Sequence, residues 1–172
     1  MTALGRQRIG PPVRRWFRPA GRTGWLVLWF LLAVAAPGAA SVTERVVTDP
    51  LTGLAIGGYD PVAYFTDGKP ALGRAEFEYR AEGVIWRFRN EGNRTAFAAD
   101  IHVYRPRFGG YDPLAVGRGV GTAGHPDIWA IHGRRLYLFY DEKARAAFLA
   151  APDEAVRRAD ETWAEVLRTL VP

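Results

Sequence analysis

Three histidines, His102, His125 and His132, and two aspartates, Asp112 and Asp127, are the side chains of this chain best suited to hold a metal. Imidazole and carboxylate together can bind a divalent transition metal of hard or borderline character without sulfur. No two of the histidines stand three or four residues apart, so no helix presents a ready-made pair. The chain has no cysteine. That removes disulfides, thiolate nucleophiles, and cysteine-held zinc, haem or iron–sulfur centres. Glu76 and Glu78 alternate with Phe77 and share one face of a strand. Paired carboxylates can do acid–base work, but on an exposed strand they read as solvated charges. The hydroxyl residues after position 40 sit in no nucleophile elbow, and no phosphate-binding glycine fingerprint opens a helix after a strand. The expectation is a chain that is not an enzyme.

Two glycine pairs frame the remaining candidates. In Gly57-Gly58-Tyr59-Asp60-Pro61, the glycines could bring backbone amides toward an anion at a helix start, with Tyr59 lining the pocket. Alternatively Asp60 caps a short helix with Pro61 at its first position, while Tyr59, Tyr64 and Phe65 fill core space. Capping is the reading that costs no further assumption. Phe108-Gly109-Gly110-Tyr111, followed by Asp112, allows either close approach of a ligand or a turn between core aromatics. Loops carry function more often than strands do, so this loop is the preferred binding site. The ligand-binding candidates are Tyr59, Asp60, Phe108, Gly109, Gly110, Tyr111 and Asp112; the metal candidates are His102, Asp112, His125 and His132. A protein partner, rather than a small ligand, would call for an exposed aromatic patch including Trp86 or Tyr111.

The elements that must position these residues are legible in the patterning. Glu76–Arg80 alternates strictly, turns at Ala81-Glu82-Gly83 and returns through Val84–Phe88, which reads as a β-hairpin. Ile128–His132, the turn at Gly133-Arg134 and Leu136–Tyr140 read as a second. Each hairpin precedes a helix signal. Asn90 caps a helix over about 93–99, and Asp141 caps one over 142–150, with Ala144, Ala147 and Phe148 on one face. After Pro152 a final helix places Ala155, Ala159, Trp163, Val166 and Leu170 at helical spacing. Its charged side, Arg157, Arg158, Glu161 and Glu165, reads as a wetted surface. Residues 106–124, rich in glycine, read as mostly loop. The predicted class is α+β: a small antiparallel sheet from two hairpins, with peripheral helices. Residues 41–172 show no low-complexity tract and no repeat, so they read as a single domain.

The chain has 172 residues, 48% of them apolar, and a formal net charge of +5. Its distribution matters more than its size. Six arginines (Arg6, Arg8, Arg14, Arg15, Arg18, Arg22) and no acidic residue fall within residues 1–40. What remains carries 17 basic against 18 acidic side chains, so nucleic acid is not an expected partner. After the arginines comes the apolar run Trp25–Ala36, then Pro37-Gly38-Ala39-Ala40. A basic start, an apolar stretch of about a dozen residues and small residues before a polar segment form an export signal, with the cut expected after Ala40. An uncleaved inner-membrane anchor is the alternative, and this segment is the only membrane contact expected. Arg14-Arg15-Trp16-Phe17 partly matches the twin-arginine export motif. The folded part is expected in the periplasm or otherwise exported.

Gly58-Tyr59-Asp60-Pro61-Val62-Ala63-Tyr64-Phe65, Phe77-Glu78-Tyr79, Trp86-Arg87-Phe88, Asn93-Arg94, Phe97, Phe108-Gly109-Gly110-Tyr111, Trp129 and Leu136-Tyr137-Leu138 occur in that order. Together they resemble the exported, single-domain branch of the bacterial YHS-domain proteins, over roughly residues 54–168. The resemblance implies a YHS-like α+β domain over 41–172. From the wider group, whose short modules accompany metal-transporting ATPases, it implies association with a transition metal through cysteines. This chain departs from the pattern at those thiols. Ala63 ends an Asp-Pro-Val-Cys pattern, and Asp112 stands where the exported branch has cysteine after Gly-Gly-Tyr. The expected function is therefore an exported binding module using the 106–125 loop and the 57–65 segment. A metal-binding accessory protein with histidine and aspartate ligands is the alternative.

Overall fold

A computed structural model describes residues 45–170 of the chain; the export signal, its arginine motif and the cut after Ala40 lie outside them. In chain order the elements are α1 (Ala63–Thr66), β1 (Arg74–Ala81), β2 (Val84–Phe88), α2 (Glu91–Ala99), α3 (Ile101–Tyr104), α4 (Pro113–Val116), β3 (His125–His132), β4 (Arg135–Phe139), α5 (Glu142–Ala150) and α6 (Pro152–Leu170). Single 3₁₀ turns at Ile56–Gly58 and Arg107–Gly110 precede α1 and α4. The class is α+β, as the hairpin and helix signals predict. The hairpins do not merge, however: β1–β2 and β3–β4 form two separate two-stranded antiparallel sheets. The region 106–124, expected to be mostly loop, is so over most of its length, and holds the second 3₁₀ turn and the short α4. Asp112 and Pro113 start that helix by the same side-chain cap that Asp60 and Pro61 supply before α1, and they outweigh the surrounding glycines.

The structure also corrects the expectation of no repeat. Residues 56–99 and 108–150 are built to one plan. In each, three consecutive residues turn through positive φ: Ile56, Gly57 and Gly58 in one, Phe108, Gly109 and Gly110 in the other. A buried aspartate follows, then a turn of helix, an isolated bridge (Tyr59 to Leu72, Tyr111 to Ala123), a hairpin and a nine-residue helix. Both hairpins carry an irregular register in the first half of their first strand, between Arg74 and Glu78 and between His125 and Trp129. Both turn through two positive-φ residues, Glu82-Gly83 and Gly133-Arg134. The helices after them are capped alike, Asn90 accepting from the Asn93 N–H and Asp141 from the Ala144 N–H. Gly73 and Gly124, at the head of each hairpin, pack so closely on the opposite strand that a Cβ would meet Arg87 C at 2.4 Å or Leu138 Cβ at 2.6 Å.

Each half buries its own aromatic cluster. In the first, Phe97 of α2 packs against Trp86 at 4.9 Å and Phe88 at 5.1 Å between ring centroids. In the second, Phe148 of α5 packs against Tyr137 at 4.9 Å and Phe139 at 5.0 Å. The clusters meet across β4, whose Leu136 and Leu138 face the first while Tyr137 and Phe139 face the second. A strand buried on both faces carries a continuous apolar run rather than an alternation, and Leu136-Tyr137-Leu138-Phe139 is one. The predicted stripe of α6, Ala155, Ala159, Trp163, Val166 and Leu170, packs on the second cluster. No helix among the described residues is long and apolar enough to cross a membrane.

Candidate functional site

The carboxylates of Asp60 and Asp112 are the two buried charged groups of the described residues. Asp60 Oδ1 accepts from the N–H groups of Val62 (2.8 Å) and Ala63 (3.3 Å), and its Oδ2 accepts from the Arg89 N–H (2.8 Å) and the Asn93 side-chain amide (2.7 Å). Asp112 Oδ1 accepts from Leu114 (2.7 Å) and Ala115 (3.1 Å), and its Oδ2 from the Tyr140 N–H (2.9 Å). Each aspartate thus starts a helix with one oxygen and ties that start to the end of its hairpin with the other. Buried carboxylates need such partners to offset lost hydration. With its oxygens so engaged and 2% of its surface exposed, Asp112 has the role of a fold-holding cap.

The metal candidates do not come together. Among the described residues no group of three or more histidine, aspartate or glutamate side chains is placed to hold a metal. His125, at the start of β3, accepts at Nδ1 from the Asp127 N–H at 3.2 Å. His132, at the end of the same strand, pairs through Nε2 with Asp153 Oδ1 at 2.7 Å. His102 is exposed on α3. The aromatic patch expected of a partner-binding surface is also absent at the residues named for it. Trp86 is fully buried, with its indole N–H donating to Ala81 O, and Tyr111 is 5% exposed against Trp163. Tyr59 donates to Asp127 Oδ2 at 3.3 Å; burial first, then the Asp127 charge, pushes its hydroxyl above the ordinary tyrosine range. Glu78 pairs with Arg87 at 2.8 Å across the first hairpin, while Glu76 is exposed.

What the structure does bring together is a groove of about 780 Å³ at Phe108 and Gly109. The Arg107–Gly110 turn forms one side. Phe108 (φ 53°) and Gly109 (φ 63°), the first two of its three positive-φ residues, bend the backbone against the incoming segment: Val47 N–H donates to Gly109 O at 2.8 Å. A Cβ on Gly109 would sit 1.8 Å from Arg45 O, so only glycine fits. The turn of the first hairpin supplies Glu82, the start of β4 supplies Arg135, and α6 supplies Asp160, Trp163 and Leu167. Arg105 and Pro106, which join the two halves, complete the wall with Arg45 and His102. The volume lies within the range of small-molecule sites. A shallower hollow of about 460 Å³ shares Arg45 and Leu167 and adds Arg168.

Four guanidinium groups therefore face two carboxylates. Glu82 takes Arg105 and Asp160 takes Arg107. Arg107 also lies over the Phe108 ring, 5.1 Å from its centroid. Arg135 makes no ion pair among the described residues, and the buried Nε–H groups of Arg135 and Arg107 have no hydrogen-bond partner there. Burial, then the charges of Arg107 and Arg105, push the Arg135 side chain below its ordinary arginine range. Of the sequence candidates, the groove takes in Phe108, Gly109 and His102; Tyr59, Asp60, Gly110, Tyr111 and Asp112 do not line it. Sequence reasoning missed Arg45, Arg105, Arg107, Arg135 and Trp163. The available signal was the close pair Arg105 and Arg107 beside the favoured loop, which a charge balance averaged over the folded part conceals. In comparisons with known proteins, no family model, no curated protein and no solved structure matches this chain.

Proposed function

We propose that this chain is an exported, non-catalytic binding module of YHS-like fold whose ligand seat is the groove at Phe108 and Gly109. The observation that carries the reading is the groove itself: a concavity of about 780 Å³ walled by the loop that the residue pattern singles out. Its size suits a small ligand rather than a protein surface. The two buried carboxylates bear on the non-catalytic part, since both are held by donors of the fold, backbone N–H groups and for Asp60 also the Asn93 amide, where an acid or base would need a reacting group within reach. The basic start, apolar run and small residues of 1–40 support export.

Two measurements test this. The full chain, expressed with its own leader in a bacterial host, should appear in the periplasmic fraction; retention in the cytoplasm overturns the export reading. A mixed fragment collection, containing acids, bases and neutral compounds, should shift the amide resonance of Gly109 and the indole resonance of Trp163. Shifts confined to other parts of the molecule, or none, overturn the groove as the ligand seat.

A further inference from the structure

We propose that the groove selects a small oxyanion, a carboxylate or phosphate, borne on an apolar body about the size of one ring. The oxyanion sits against Arg135 and Arg107, and the body lies against Trp163 and Leu167. The inference rests on the groove being the ligand seat and adds the class of ligand it takes.

Three observations carry it. The first is the imbalance of charge: Arg45, Arg105, Arg107 and Arg135 converge on a space whose only carboxylates among the described residues are Glu82 and Asp160. Guanidinium groups crowded in this way repel one another, and a bound anion turns that repulsion into attraction. The second is Arg135, which lines the groove and makes no ion pair among the described residues, whereas Arg105 and Arg107 each have one. An oxyanion supplies the counter-charge that Arg135 lacks. The third comes from the internal repeat. The positions corresponding to Arg107 and Arg135 in the first half are Ala55 and Val84, both buried. The shared plan therefore folds with small apolar residues at these two places, and Arg135, which has no ion-pair partner among the described residues, answers to something other than folding.

The apolar body follows from the rest of the wall. Trp163 packs edge-on to Phe108 at 5.6 Å, and with Leu167 it lines the groove beside the arginines. A bare inorganic anion would leave this surface wet. A polyanion such as nucleic acid fits less well, because the folded part beyond residue 40 carries no excess of basic residues and the arginines gather in one hollow rather than along a track.

The test titrates the full ¹⁵N-labelled chain with phenyl phosphate, benzoate, inorganic phosphate, benzyl alcohol and benzylamine. The Gly109 amide and Trp163 indole resonances are followed. Phenyl phosphate or benzoate should bind more tightly than the other three, whichever of the two leads naming the oxyanion. Arg135→Met should weaken that binding about 10- to 100-fold, the equivalent of losing one charge-assisted hydrogen bond. Arg134→Met, which alters an exposed arginine outside the groove, should leave it unchanged. A thermal melt checks that each variant folds, and Arg45→Met, at an exposed position, gives a second charge deletion that should also weaken binding. Benzyl alcohol or benzylamine binding as tightly as the anions overturns the ligand class while leaving the groove as a seat. Anion binding undiminished in both Arg135→Met and Arg45→Met overturns it as well, and inorganic phosphate matching phenyl phosphate overturns the apolar body. No response to any probe overturns both this inference and the reading on which it rests.

Discussion

The two halves share a backbone plan and differ in what they do with the outer face of the second hairpin strand. In β2 burial alternates: Val84, Trp86 and Phe88 are buried, while Ile85 and Arg87 are only half covered. In β4 the corresponding run Leu136–Phe139 is buried throughout. The first hairpin closes one side of the molecule and meets water with Arg87, which pairs with Glu78. The second stands between the two aromatic clusters and cannot. The same local plan thus gives a covering sheet in one place and a central partition in the other, and the residues at matching positions record the difference. Leu138 stands where Arg87 stands.

Exchanging those two residues breaks the comparison most severely. Leu138→Arg puts an unpaired charge among fully buried side chains, at a cost of about 5 kcal/mol or more. That is a large part of a domain's whole stability, so little soluble folded protein is expected. Arg87→Leu removes only a half-exposed ion pair and should change the urea-unfolding free energy by about 1 kcal/mol or less. Similar unfolding midpoints for the two variants would show that β4 is not the partition described above.

The capping aspartates come next. Asp60→Ala strands four donors and Asp112→Ala three. Each should cost about 3–5 kcal/mol, with Asp60 the dearer. Equilibrium denaturation of both variants checks the order. A metal-ligand role for Asp112 predicts something different: a variant that folds at close to wild-type stability but no longer binds zinc or manganese.

These caps also show where sequence reasoning reaches and where it stops. Hairpins and helices were legible because alternation, β-branched residues and capping signals act over a few neighbouring positions: Asn90, Asp141, and the apolar stripe from Ala155 to Leu170. The capping of α1 by Asp60 followed from Pro61 alone. Asp112-Pro113 carries the same signal, yet its glycine-rich surroundings and the interest of a carboxylate at a thiol position led to a different reading. The repeat is hard to see in the sequence because the one unbroken run of identity is Gly-Gly-Tyr-Asp-Pro at 57–61 and 109–113. Beyond it identities are scattered, among them Phe88 with Phe139, Glu91 with Glu142, Arg94 with Arg145 and Phe97 with Phe148, while Trp86 answers to Tyr137 and Asn90 to Asp141. The spacing between halves also slips by one residue between the caps and the hairpins. The groove was the least legible feature, since Arg45, Glu82, Arg105, Arg135 and Trp163 come from five separate stretches that only tertiary packing brings together.

A gentler probe of the comparison lies in the paired turns. Gly57 and Gly109 hold nearly the same backbone angle, φ 65° and 63°, but their surroundings differ. A Cβ on Gly57 would meet nothing nearer than 3.8 Å, whereas on Gly109 it would collide with Arg45 O. Gly57→Ala should therefore cost only the left-handed strain, about 1–2 kcal/mol. Gly109→Ala must also displace the segment at Arg45–Val47 and should cost about 1–2 kcal/mol more. It should also disturb the groove, so the Trp163 indole resonance should move in Gly109→Ala and stay in place in Gly57→Ala.

The smallest expected effect separates the halves by pH. Tyr64 of α1 is almost fully buried and donates to Pro126 O at 2.9 Å. Burial, then the charge of Asp127, Tyr59 and Asp60, pushes its hydroxyl far above the ordinary tyrosine range. The matching position in the second half is Val116, which cannot titrate. There the raised hydroxyl is that of Tyr137, pushed up by burial but drawn back by Arg107 and Arg135. An unfolded tyrosine ionises near pH ~10. In the folded state the proton is held to higher pH, so the unfolded chain gives up its protons first. Stability is then whole below pH ~10 and falls above it, by at most about 1.4 kcal/mol per pH unit for each such tyrosine. Tyr64→Phe should cost about 1 kcal/mol at neutral pH through its lost hydrogen bond but flatten the alkaline decline. Tyr137→Phe should flatten it less, because the neighbouring arginines already favour its ionised form. Urea midpoints from pH 8 to 11 for the three proteins decide the matter. Equal slopes in wild type and Tyr64→Phe would mean that the Tyr64 hydroxyl ionises as readily in the folded chain as in the unfolded one.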